Sequence, residues 1–118
     1  MLPEQNARVR LNDILFFVEE IFSFVAGMTQ TEFYKDRRTA NAVVLDFIHI
    51  GEAVVNIPAE IQAEYPEIPW RLMKNMRNFL AHVYSGIDPG KVWTTIHEDL
   101  PPLVPLLRIV LDSLETRT

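Results

Sequence analysis

The stretch LNDILFFVEEIFSFV, residues 11–25, decides the fold class. Its apolar positions Leu11, Ile14, Leu15, Val18, Ile21, Phe22 and Val25 recur at intervals of three and four, the stripe that one face of an α-helix buries. Gly27 follows where a helix closes on a left-handed residue. A second stripe of Val44, Phe47, Ile48, Gly51, Val54 and Val55 predicts a helix from about Thr39 to Asn56, in which Gly51 lets a neighbouring helix come close.

Punctuation lies between the stripes. Thr29-Gln30-Thr31-Glu32 has the form of a capping box and predicts a short helical turn carrying Phe33 and Tyr34, followed by a basic link, Lys35-Asp36-Arg37-Arg38. Pro58 fits the first position of a brief helix ending near Ala63. Pro66 and Pro69 bracket a turn, and Trp70 opens a third long helix with Met73, Met76, Leu80 and Val83 inward, ended by Ser85-Gly86. Asp88-Pro89 reads as a cap and first residue of a helix that turns Val92, Trp93 and Ile96 inward and breaks at Pro101-Pro102. The last helix uses Leu103, Leu106, Leu107, Val110, Leu111 and Leu114, with Pro105 inside its first turn. No strand-like alternation competes. Short links between long amphipathic helices predict one all-α domain over residues 1–118, an up-and-down four-helix bundle with short additional helices.

Composition narrows the functions open to such a bundle. Hydrophobic residues at 48% and charged residues at 23% are ordinary globular usage. The absence of cysteine excludes disulfides, thiolate metal sites and cysteine nucleophiles. Neither a signal-peptide core at Met1–Arg8 nor an uninterrupted apolar span is seen, so a cytoplasmic protein away from membranes is expected. A net charge of −5 argues against nucleic-acid binding by the whole surface, and confines any RNA site to a local basic patch.

One such patch is present. Arg71, Lys74, Arg77 and Asn78 fall at i, i+3, i+6 and i+7, a phosphate-facing stripe or the solvated face that every amphipathic helix has. His82 lies four residues beyond Asn78, and Tyr84 seven beyond Arg77. A histidine can exchange a proton near neutral pH, and an arginine fork can hold a phosphate and its developing charge. Together these jobs suffice for metal-free RNA cleavage through the 2′-hydroxyl. In a straight helix, however, Arg77 and His82 are about 140° apart around the axis. Either the helix loosens near His82, or two copies face each other across a two-fold axis; the dimer is the favoured reading. His49 and His97 read as structural, and no ligand spacing supports a metal or cofactor.

Ile50-Gly51-Glu52-Ala53, Tyr65-Pro66-Glu67-Ile68-Pro69-Trp70 and Met76-Arg77-Asn78-Phe79-Leu80-Ala81-His82-Val83-Tyr84 together resemble the HepT branch of the HEPN superfamily. Ile87-Asp88, Val92-Trp93 and Asp99-Leu100-Pro101 extend the resemblance over nearly the whole chain. Asn75 departs from it, standing where relatives often carry a small residue. The resemblance implies a HEPN-like bundle and a homodimeric, metal-independent RNA endonuclease, the toxin of a type VII-like toxin–antitoxin module. Its partner would be a nucleotidyltransferase antitoxin of the MntA type. It assigns Arg77 and His82 to RNA cleavage with Asn78 in support, and makes Tyr84 the hydroxyl that receives AMP. Such a modification would place negative charge and bulk where RNA phosphate sits. The alternative implied by the same fold is a non-catalytic subunit that binds nucleotide or presents a partner enzyme.

Overall fold

The computed structural model describes residues 1–117, except for the side chains of His82, Val83 and Tyr84. It is an all-helical bundle, with no strand among the described residues. Four rods make it up. The first is α1 (Pro3–Val25) and the second α3 (Arg37–Val55), joined through the short α2 (Gln30–Lys35). After α4 (Ala59–Glu64), the third rod comprises α5 (Trp70–Lys74), a 3₁₀ segment (Asn75–Phe79) and α6 (Leu80–Ser85). The fourth comprises α7 (Pro89–Thr94), a π-helical turn (Thr95–Asp99) and α8 (Leu100–Thr116). α1 packs on α3 and α8, while α3 also carries α5 and the 3₁₀ segment. No helix among the described residues is long and apolar enough to cross a membrane.

The expected stripes build the core: Leu11, Ile14, Val18 and Ile21 of α1 and Phe47 and Val54 of α3 are all fully enclosed, as is Ile50 from outside the expected stripe, whereas Ile48 is half-buried. Val55, expected inward, is exposed at the end of its helix. α1 ends as its glycine suggests, with Gly27 at φ +75°. The Thr29 box closes at both ends: Glu32 N donates to Thr29 Oγ1 (3.1 Å) and Thr29 N to Glu32 Oε1 (2.9 Å). Asp88 caps α7 by accepting from Gly90 N and Lys91 N.

Three expectations need correction. Arg37 and Arg38 are not in a link, because Asp36 caps α3 by accepting from Thr39 N at 2.9 Å and draws both arginines into the first turn. The third rod is not one α-helix. At three residues per turn the 3₁₀ winding aligns Met73, Met76 and Phe79 on the core, and Leu80, expected inward, is 49% exposed; the Val83 side chain is outside the described residues. Finally, Pro101-Pro102 does not break the chain's course. Both prolines occupy the first turn of α8, where a missing N–H costs least, and the wide π turn before them bridges α7 to α8.

Among the described residues two polar side chains are buried, Thr95 and Asp46, and only Asp46 has an unpaired atom. Asp46 of α3 is 4% exposed, its Oδ2 has no hydrogen-bond partner, and its carboxyl lies against that of Glu20 on α1. Burial first, and then the Glu20 carboxyl, push its pKa up to about 7. A carboxyl whose pKa is raised on folding favours the fold below its unfolded value and loses that contribution as pH rises through the folded value. The protein is therefore expected to lose stability between about pH 4 and pH 7 through this pair. Asp46→Asn, with a permanent donor facing Glu20, should flatten that loss and raise Tm at pH 8 by roughly 4 °C or more. Thermal unfolding at pH 5, 6.5 and 8 checks it.

Candidate functional site

The 3₁₀ register sorts the third rod into three columns. Met73, Met76 and Phe79 face the core. Consecutive residues of a 3₁₀ turn point about 120° apart, so Arg77 continues the exposed column begun by Arg71 and Lys74 at the end of α5, and Asn78 the one begun by Leu72 and Asn75. The structure thus brings the three basic residues of the sequence pattern into one column, all exposed. It moves Asn78 away from Arg77, onto a cleft facing α7.

The basic column leans on α3 through a missing side chain. A Cβ built on Gly51 would lie 2.6 Å from the Arg77 backbone nitrogen and 3.1 Å from the Lys74 carbonyl oxygen. Any larger residue would push the 3₁₀ segment off the helix. The next residue on α3 pairs with the arginine itself: Glu52 Oε1 lies 3.1 Å from Arg77 Nε in an ion pair, with the side chains 55% and 42% exposed. An ion pair this open adds at most about 1 kcal/mol to stability. Its effect is orientation, since engaging Nε leaves the two terminal nitrogens without another partner among the described residues. That edge is the one a phosphate binds in bidentate fashion.

Glu52 was not among the residues the sequence singled out. It was quoted within Ile50-Gly51-Glu52-Ala53 but given no role, because nothing local announces that Arg77 folds back onto it.

The 3₁₀ segment also bears on the offset between positions 77 and 82. The winding tightens before His82 rather than loosening near it, and tighter winding adds to the α-helical angle of about 140°. The side chains of His82 and Tyr84 lie outside the described residues; their backbone belongs to α6. Beside α6 is a mostly apolar groove of about 760 Å³ between α2, α3 and the Gly86–Pro89 link. Tyr34, Leu45 and Leu80 line it, each about half exposed. His49 and His97 are engaged locally: His49 stacks on Phe17 at 5.0 Å, and His97 Nδ1 donates to the Trp93 carbonyl at 2.9 Å.

Comparison with known proteins places this geometry in context. The profile of the family described as Ribonuclease HepT-like matches residues 14–110. The chain is 41% identical over 93 residues to the "Probable ribonuclease HepT" of Thermococcus cleftensis, covering 79% of this chain and 84% of that one. It is 33% identical over 114 residues to a "Putative RNase" of Methanocaldococcus jannaschii, covering 97% and 94% of the two chains. A "Putative RNase" of Caldanaerobacter subterraneus subsp. tengcongensis is 33% identical over 109 residues, covering 92% and 97%. No solved structure matches the chain.

Because a Cβ at Gly51 would meet the Arg77 backbone nitrogen and Lys74 carbonyl as well as Arg77 Cγ, so that moving a side chain alone cannot relieve it, Gly51→Ala is expected to destabilise the fold by about 1–3 kcal/mol. Urea unfolding measures it. Glu52→Gln, which keeps the shape and loses the charge, should change the unfolding midpoint by far less.

Proposed function

Because the chain belongs to the Ribonuclease HepT-like family, we propose that it is a metal-independent RNA endonuclease, and the toxin of a two-component toxin–antitoxin module. The observation that carries this reading is the Arg77 guanidinium, oriented by Glu52 through Nε at the end of the Arg71-Lys74-Arg77 column with its terminal edge unengaged. In an acidic protein of net charge −5, that column is a local footprint for a phosphate backbone.

In the proposed reaction Arg77 holds the scissile phosphate and the charge that grows on it. The His82 imidazole removes the proton from the ribose 2′-hydroxyl, and the 2′-oxygen attacks phosphorus. The bond from phosphorus to the 5′-oxygen breaks and that oxygen takes a proton from water, leaving a 2′,3′-cyclic phosphate and a 5′-hydroxyl, while His82 returns its proton to the hydroxide so formed. No step requires a metal.

The angular offset between positions 77 and 82 supports a homodimer whose groove combines Arg77 of one copy with His82 of the other. The apolar groove lined by Leu45 and Leu80, beside α6, is a surface that a second copy would cover. Arg77→Ala and His82→Ala are each expected to lower RNA cleavage about 10²-fold or more in buffer containing EDTA, with circular dichroism unchanged. Mixing the two inactive variants should restore activity, because a mixed dimer regains one intact Arg77–His82 pair. Failure of the mixture, or cleavage by a strictly monomeric chain in sedimentation, removes the composite site. Full activity in either variant removes that residue's role, and an inactive wild type leaves the scaffold or nucleotide-binding reading of the fold.

The antitoxin in this reading is a nucleotidyltransferase of the MntA type that moves AMP from ATP to the Tyr84 hydroxyl, releasing pyrophosphate. The added phosphate would repel RNA near Arg77. Tyr84→Phe lacks only the acceptor oxygen, so it should keep most of its nuclease activity and escape inactivation. Incubation of both forms with antitoxin and ATP, removal of the antitoxin, and an RNA-cleavage assay decide the matter. Equal loss in both shows that inhibition does not run through Tyr84.

A further inference from the structure

The third column of the 3₁₀ segment opens on a feature that phosphate binding does not use. Between it and the fourth rod lies a cleft of about 290 Å³, lined among others by Asn75, Asn78, Phe79, Lys91, Thr95 and Asp99. It exists because neither wall is an ordinary α-helix. The tight 3₁₀ segment forms one side, and the wide π turn carrying Thr95 and Asp99 forms the other. π turns inside α-helices often mark working sites.

The groups around this cleft are available for a ligand. The carboxamides of Asn75 and Asn78 and the Asp99 carboxylate have no hydrogen-bond partner among the described residues, and Asp99 makes no side-chain cap to α8. Lys91 forms no ion pair among them; its Nζ sits 5.9 Å from the centroid of the Phe79 ring. Thr95 Oγ1 is turned inward, donating to the Lys91 carbonyl at 2.9 Å, and adds no competing donor. Leu72, 41% exposed, supplies an apolar wall. Two carboxamides, each with donors and an acceptor, together with a carboxylate and an apolar face, suit the edge and face of a planar heterocycle. The volume is at the low end for a small-molecule pocket and admits one nucleoside. Asn78 follows Arg77 directly, so the cleft lies one column over from the phosphate position.

We infer that this cleft is a nucleobase-recognition subsite, which takes the nucleoside flanking the phosphate held at Arg77 and sets the base at which RNA is cut. The inference rests on the RNA-cleavage reading above. It gives Asn75 a part in this chain's sequence preference.

The test uses Asn75→Ala and Asp99→Asn, both at exposed or half-exposed positions outside the cleavage chemistry. Wild type and variants digest a pool of RNA oligonucleotides of randomised sequence, and the cleavage sites are sequenced. Wild type is expected to favour particular bases at one position beside the cut. Each variant should weaken that preference roughly ten-fold at that position alone, raising KM for the preferred oligonucleotide with kcat within about two-fold. Unchanged preferences in both variants, or a wild type indifferent to the flanking base, overturn the subsite and leave the nuclease intact. If wild type cleaves no RNA, titration with AMP, GMP, CMP and UMP, followed by NMR at the Asn75 and Asn78 side-chain amides, decides the cleft separately. Shifts for some nucleotides and not others, lost in Asp99→Asn, support it; no shift at millimolar nucleotide overturns it.

Discussion

The arrangement of this protein's polar groups depends on one close approach, that of the Asn75–Phe79 segment to α3 at Gly51. Without a side chain at that position, backbone rests nearly on backbone, and the segment takes a tighter winding than its neighbours. From that winding follow a core column of Met73, Met76 and Phe79, a basic column ending in Arg77, and an asparagine column facing the fourth rod. A regular α-helix over the same residues would smear these three columns around its axis, since i and i+3 differ there by about 60°. The Glu52–Arg77 pair is a consequence of the same contact, because the residue after Gly51 is carried to the edge of the turn it supports.

Much of the architecture was legible because the stripes are long and the stops are chemically specific. The core face of α1, the Thr29-Glu32 box, Gly27 and the Asp88-Pro89 start all stand where local rules put them. Two of the errors share an origin in winding other than α. Apolar periodicity presumes 3.6 residues per turn, and from Asn75 to Phe79 the winding is closer to three, so Leu80 was assigned a core place that Phe79 holds. Pro101-Pro102 was read as a break because the π turn that carries the chain past it leaves no signature in composition. Asp36 was read within a link, although its spacing to Thr39 was that of a cap.

For the candidate site, local spacing yielded the basic residues and their shared face. It did not reveal that Asn78 turns away from Arg77, nor that Glu52 meets Arg77 from another helix, because both depend on tertiary packing. The acidic composition was informative in a complementary way. In a protein of net negative charge, a local basic column is a preferred landing place for a polyanion.

The π turn in the fourth rod has a consequence for length. One i→i+5 turn accommodates one residue more than an α-helix would, and its wider winding absorbs that residue locally. Five residues at this pitch advance the chain by nearly the angle that four take in an α-helix, about 400°, so α8 keeps its phase on α7. Leu103, Leu107, Val110 and Leu114 therefore meet the same core as Val92. Loss of one residue from 95–99 would regularise the rod with that face in place, and what it would remove is the wide wall that Thr95 and Asp99 give the cleft.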